Sequence, residues 1–256
     1  MVEDLIGEAG LVREALDRQG DLARPFGPGE ALARQGVPHR FVEQPGRVLG
    51  SDRRVAQVEV ITMRLRELRE ARHPNFDAAL MLEHLAHFTD LSSNIVKEIE
   101  IRRDGRWGQR LMKYRATVSD AMSSFMERAA KEIAAALPVV KSGSYGGGPR
   151  VPDFSKRVDL EKTDIALRYA RLIAGARPFA AAASFGATLK DVDERVTTQL
   201  RRYTEDMIKE LRTSGGERRA IIEHQTDVVS ELTAILFSEE EAELLRRRGR
   251  AAQAAA

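Results

Sequence analysis

Apolar side chains recur every three or four residues through most of the chain that follows Asp52, and this spacing restricts the fold more than any other feature. One such stripe is formed by Val192, Val196, Leu200, Tyr203, Met207 and Leu211, positions that share one face of an α-helix. Aromatic residues are 5% of the chain, so the core has to be built mainly from Ala, Leu, Ile and Val, which suit helix packing. The sequence therefore predicts an all-α fold of helical hairpins and bundles.

Glycine and proline divide this helical pattern into segments. Between Gly20 and Gly50 the chain holds four prolines and six glycines, and a stretch of this length without periodicity is typical of a segment that lies across a partner surface or is mobile. We predict five segments. They are an N-terminal helix and irregular arm at 1–51, a helical hairpin or three-helix unit at 52–137, a Gly/Pro linker at 138–157, a C-terminal bundle at 158–250 and a tail at 251–256.

Residues 141–154 read KSGSYGGGPRVPDF and raise the question of a phosphate-binding loop. In a P-loop the glycines lead directly into a helix, and the lysine follows them. Here Lys141 precedes the glycines, whereas Pro149 and Pro152 follow them and favour extended chain. The stretch is therefore interpreted as a linker between two helical parts, with Tyr145 free to contact a partner.

The helix after Ser214-Gly215-Gly216 carries a coiled-coil-like seam. The seam places residues at alternating spacings of four and three, namely Ile221, Gln225, Val228, Leu232 and Ile235. One polar residue in such a seam sets register between paired helices, so the seam predicts a homo-oligomer or docking on a partner helix. Ser238 and Glu241 then form a capping box for the last helix.

Trp107 is the single tryptophan and lies in DGRWGQR, at a turn between two long helices. It either fixes this turn to the core or is exposed as an anchor for another protein, since interface hot spots favour Trp, Tyr and Arg. The sequence leaves both interpretations open.

Composition excludes several classes of protein. The chain has no cysteine, which rules out disulfides, thiolate metal sites and cysteine nucleophiles. No window approaches twenty apolar residues, so no membrane span is expected. The N-terminus MVEDLIGEAG carries acids at once and lacks the layout of a signal peptide. We therefore expect a soluble, cytoplasmic protein.

Arginine clusters keep a nucleic-acid-associated accessory protein open as an alternative. The clusters comprise Arg201, Arg202, Arg212, Arg218, Arg219, Arg246, Arg247 and Arg248. The formal net charge is +2, because acids offset nearly all bases, and a bulk-basic nucleic-acid binder shows a larger excess. A solvated surface with internal ion pairs is the competing interpretation.

A metal- or cofactor-binding bundle enzyme is the second alternative. His84 and His87 are three residues apart and share one helical face, and a bundle could bring His224 towards them. The Glu-x-x-His pattern of di-iron bundles and the HExxH pattern of metalloproteases are absent, as is the G-x-S-x-G of serine hydrolases. We expect no catalytic residues and no cofactor. The favoured hypothesis is a non-enzymatic scaffold or protein–protein interaction subunit of a cytoplasmic assembly.

Overall fold

A computed structural model describes residues 45–71, 76–98, 105–142, 148 and 150–254. The arm predicted at 1–51 therefore lies outside the described residues up to position 44, and so does Tyr145. Across the described part of the chain, no helix has the length and apolar character that a bilayer crossing requires.

The described residues form seven α-helices and one small antiparallel sheet, which confirms the all-α prediction. The elements are α1 (Pro45–Ala71), α2 (Ala78–Glu98), α3 (Arg106–Ala136), β1 (Val139–Lys141), β2 (Arg150–Pro152), α4 (Leu160–Ala176), α5 (Gly186–Leu211), α6 (Gly216–Leu236) and α7 (Glu239–Ala254).

Short polar side chains begin three of these helices. Asp77 Oδ1 accepts hydrogen bonds from the first amides of α2, and Asp159 Oδ1 does the same for α4. The Ser238 hydroxyl accepts the Glu241 amide at 3.2 Å at the start of α7, as the capping box predicts. Each such cap stabilises its helix by about 1 kcal/mol, since it satisfies amides that have no partner inside the helix.

Helix α4 lies at the centre of the bundle and packs against α2, α3 and α6. Its inward residues Tyr169, Leu172 and Ile173 are fully buried. Helix α3 packs in addition against α1 and α5, and α5 packs against α6 and α7. One hydrophobic core therefore joins helices from both of the predicted helical parts.

The segment between α3 and α4 contains a β-hairpin base. Strands β1 and β2 pair antiparallel, with Val139 opposite Pro152, Val140 opposite Val151 and Lys141 opposite Arg150. Gly148 lies against Ser142 so closely that a Cβ atom would collide with the Ser142 carbonyl, which explains a glycine at this position. The chain at 138–157 thus carries paired strands at both ends of the glycine stretch.

Candidate functional site

The side chain of Gln225 joins the hairpin base to the helical bundle. This residue is fully buried on α6, and its Nε2 donates to the carbonyl oxygens of Asp153 and Lys156 at 3.1 and 2.8 Å. The Tyr203 hydroxyl donates to Gln225 Oε1 at 3.0 Å and lies 3.3 Å from the Pro138 carbonyl oxygen. Burial raises the pKa of Tyr203, so the hydroxyl stays protonated as a donor.

The predicted seam on α6 is therefore covered by other parts of the same chain. Gln225, Val228 and Leu232 are buried in the chain's own core, and Ile221 and Ile235 are half-buried. A seam residue that is already covered has no surface left for a partner in this conformation. Oligomerisation through these residues stays a prediction that requires α6 to be uncovered.

Trp107 is half-buried at the start of α3 and packs against the core. The Arg110 guanidinium carbon lies 5.7 Å from the centre of its ring, within the range of a cation–π contact. Arg110 also reaches Glu59 on α1 at 3.3 Å. This placement ties the first turn of α3 to α1 and leaves part of the indole exposed.

Three of the arginines of α7 form ion pairs within their own helix. Arg246, Arg247 and Arg250 each lie within 3.5 Å of a Glu243 carboxylate oxygen, and Arg246 reaches Glu239 at 2.7 Å. The hydrogen bond from Arg250 is the main reason that the pKa of Glu243 lies below its usual value. Much of the positive charge that the nucleic-acid alternative places on α7 is therefore engaged in ion pairs with glutamates.

The arginines near the α5–α6 turn divide into paired and unpaired groups. Arg218 reaches Glu210 at 2.7 Å, and Arg219 lies 3.9 Å from Glu223 and donates to the Gln253 carbonyl. These contacts hold two helix ends together. The cluster predicted from the sequence is in this part a set of internal contacts.

Four other predicted arginines form no ion pair with the described part of the chain. Arg201 and Arg248 line a groove between α5 and α7, whereas Arg202 lines a cleft beside the hairpin. Arg212 is exposed at the end of α5. The structure thus brings Arg201 and Arg248 to one groove and places Arg202 and Arg212 elsewhere, so the four charges do not form one face.

The three candidate metal ligands do not converge. His84 is half-buried and His87 exposed on α2, and His224 is exposed on α6. Helix α4 packs against both of these helices. Among the described residues, no group of three or more His, Cys, Asp or Glu side chains is arranged to hold a metal ion.

Two surfaces escaped the sequence analysis. The first is the outer face of α1, formed by Ala56, Val60 and Met63, which point away from the core. Val60 and Met63 are 57% and 54% exposed. These residues form a second apolar stripe in the sequence, beside that of Val55 and Val58. Because the buried stripe alone explains the helix, the second one was not recognised.

The second surface is a cleft of about 470 Å³ at the hairpin base, bounded by the end of α3, both strands and the start of α4. We name it the hairpin cleft. Its charged lining consists of Lys131, Arg150, Lys156, Arg157, Lys162 and Asp159. Five of the six lie in the stretch 150–162, a local charge cluster in the sequence, whereas Lys131 joins them only through the fold.

Comparisons with protein-family models, curated proteins and solved structures return no match to this chain.

Proposed function

We propose that this chain is a non-enzymatic protein-interaction subunit that associates through the outer face of α1. The observation that carries the proposal is the exposure of two large apolar side chains, Val60 and Met63, one turn apart on a helix whose other face is buried. With Ala56 they follow the i, i+4, i+7 spacing by which helices dock on other helices. Transferring one such side chain from water into an interface contributes about 1.5–3 kcal/mol when its burial is complete.

The residues around the outer face suit an interface rim. Arg53 and Glu67 are exposed at the two ends of the apolar stripe, and Gln57 and Arg64 are exposed beside it. A stable interface combines an apolar centre with a polar edge, and Met and Arg are among the residues enriched there. The outer face has this composition, which supports binding to a protein surface.

The charge order along α1 favours a second copy of the chain as the partner. If two α1 helices pair antiparallel about a point between Val60 and Met63, each Val60 meets the other copy's Met63. The same symmetry sets Arg64 opposite Glu59, whose carboxylate also pairs with Arg110 and whose side chain remains 43% exposed. A two-fold interface of this kind is self-complementary, so a homodimer is the assembly we propose.

Size-exclusion chromatography with light scattering tests this proposal. The wild-type chain, of 28.5 kDa, should give twice that mass, and replacing Val60 and Met63 together by Ser should return the monomer. Leu160→Ser is the matched control, because Leu160 is 68% exposed on α4, and this variant should remain dimeric. A wild-type monomer at high concentration, or dimers that survive the double substitution, would contradict the proposal.

A further inference from the structure

Five cationic side chains from four segments of the chain line the hairpin cleft. Lys131 comes from the end of α3, Arg150 from β2, Lys156 and Arg157 from the following loop, and Lys162 from the first turn of α4. Asp159 is the one acidic lining residue that the described part of the chain supplies. Four of the five lie within residues 150–162, and Lys131 joins them through the packing of α3. All five are exposed, so water screens their mutual repulsion and leaves them accessible to a bound anion.

Two of these cations are partly offset by acids on their own segment. Lys162 lies 3.6 Å from Asp159, and Lys156 lies 3.3 Å from Asp153. Both lysine side chains remain more than half exposed. Because Lys pairs by point charge with three rotatable donors, each can contact a second anion at the same time.

The other three cations carry most of the available charge. Arg157 lies 3.6 Å from Glu217, but both side chains are more than 75% exposed, and water screens such a pair strongly. Lys131 and Arg150 form no ion pair with the described part of the chain. The three acids leave the cleft with an excess of two positive charges.

We propose that the hairpin cleft is a binding site for a compact oligophosphate, such as pyrophosphate, triphosphate or the di- or triphosphate group of a larger small molecule. Arginine can hold phosphate oxygens with two parallel hydrogen bonds, and lysine adds charge without a fixed direction. The N-terminal end of α4 also borders the cleft, and there the Asp159 carboxylate already accepts hydrogen bonds from the Glu161 and Lys162 amides. The attraction for an anion therefore comes from the side-chain cations. The carbonyl end of α3, at Ala134–Ala136, also lines the cleft and carries the negative end of a helix dipole, so the anion belongs beside the lysine and arginine side chains.

The lining favours a compact anion over a nucleic-acid strand. Along the described part of the cleft wall no side chain is aromatic, whereas proteins that bind single strands stack bases on aromatic rings. The remaining wall is built from Ala134 to Ala136, Leu137, Pro138 and Val139. The volume of the hairpin cleft lies within the range of small-molecule sites. Recognition therefore depends on charge.

This site gives the glycine stretch a role that differs from a P-loop. The hairpin places Arg150 at the cleft through the pairing of Lys141 with Arg150, and Gln225 fixes the loop that carries Lys156. In the proposed site, the anion is bound by side chains that the paired strands hold in place. A P-loop instead binds phosphate with the amides of a glycine-rich helix start.

Isothermal titration of the full chain with sodium triphosphate at low salt tests the site, and sodium sulfate at equal ionic strength is the reference anion. Replacing Lys131 and Arg150 together by Gln should weaken triphosphate binding at least about tenfold, since each removes a charge-assisted contact. Arg212→Gln is the matched control, an exposed arginine far along α5, and it should bind as wild type does. Lys131→Gln with Arg157→Gln is a second pair that leaves the hairpin strands unchanged.

Four results would overturn the proposal. They are no heat of binding with triphosphate at millimolar concentration, equal affinity for sulfate, an equal loss in Arg212→Gln, and unaltered binding in both double variants. Circular dichroism before each titration establishes that a variant is folded. Since the outer face of α1 is a separate surface, the Val60 and Met63 double variant should bind triphosphate normally, which separates this test from that of the proposed dimer.

Discussion

The hydroxyl of Tyr169 is a buried polar group without a hydrogen-bond partner among the described residues. The residue is fully buried on α4, and its ring centre lies 4.7 Å from that of Phe76. Burial raises the pKa of its hydroxyl to about 12. A buried donor without a partner loses its water and gains nothing in exchange.

We therefore expect Tyr169→Phe to stabilise the protein. The ring contacts remain, and removing an unsatisfied hydroxyl changes the free energy of unfolding by up to about 1 kcal/mol in favour of the folded state. Urea unfolding followed by circular dichroism measures this change. A loss of more than 1 kcal/mol would mean that the hydroxyl has a partner, and the prediction would then be wrong.

The carboxylate of Asp153 gives the hairpin base a dependence on pH. Its Oδ1 accepts the Ser155 hydroxyl at 2.6 Å and the Ser155 amide at 3.1 Å, and these bonds, with Lys156 nearby, hold its pKa below the ordinary 3.8. A carboxylate whose pKa is lower in the folded state stabilises the protein at pH values above its unfolded-state pKa. This stabilisation is lost as the pH falls through the folded-state pKa. Stability should therefore decrease below about pH 4.

Asp153→Asn isolates this contribution. The variant should lose less of its urea midpoint than wild type does between pH 6 and pH 3, because the group that titrates is gone. Glu240→Gln, at an exposed position of α7, removes one acid elsewhere and should keep the wild-type response. Identical pH dependence in wild type and Asp153→Asn would contradict the assignment.

Among the elements, the hairpin depends on α6 for its position. Replacing Gln225 by Leu keeps the volume and removes three hydrogen bonds, those with the Tyr203 hydroxyl and with the carbonyls of Asp153 and Lys156. Among the described residues, the Tyr203 hydroxyl then retains only the Pro138 carbonyl at 3.3 Å. We expect a loss of about 3 kcal/mol. The Asp153 amide, which donates to the Pro138 carbonyl at 2.9 Å, should exchange its hydrogen faster.

The control for this variant is Gln199→Leu. The Gln199 amide makes no hydrogen bond within the described part of the chain, so its replacement should change stability by less than about 0.5 kcal/mol. If Gln225→Leu proves equally mild, the Gln225 network contributes specificity of structure and little free energy.

Periodicity predicted the helices well, because a buried stripe repeats at the helical period wherever the helix packs. The expected start near Trp107 agrees with α3 at Arg106, and the Ser238 cap is present. Periodicity cannot say what covers a stripe. The seam at Val228 and Leu232 has the spacing of a coiled coil, but α6 packs against the chain's own helices, a fact that depends on tertiary contacts beyond the helix.

At the scale of the whole molecule, sites assembled from distant segments leave no sequence motif. Lys131 and Lys162 are separated by 30 intervening residues, and the charge of the hairpin cleft exists only after α3, β2 and α4 have packed. The ion pairs of Arg218 and Arg219 are local by contrast, since Arg219 and Glu223 are four residues apart on one helix and Arg218 meets Glu210 across the α5–α6 turn. The net charge follows from composition, whereas the fold determines which charged side chains form ion pairs and which stay accessible to a ligand.

The shared core also yields a test of whether the predicted parts 52–137 and 158–250 unfold separately. Leu172 is fully buried on α4, and Leu172→Ala should cost about 2–5 kcal/mol. Trp107, the single tryptophan, reports on the first part by its fluorescence. Because one core joins the helices, the Leu172→Ala variant should shift the Trp107 transition and the circular-dichroism transition together in urea.

A matched control comes from Leu244→Ala. Leu244 is 57% exposed on α7, so its truncation should change stability by less than about 0.5 kcal/mol. If Leu172→Ala instead left the Trp107 transition in place and produced a second transition, the two parts would be independent folding units. Coincident transitions would mean that α4 completes the packing of the first part, so that neither part keeps its fold when the other unfolds.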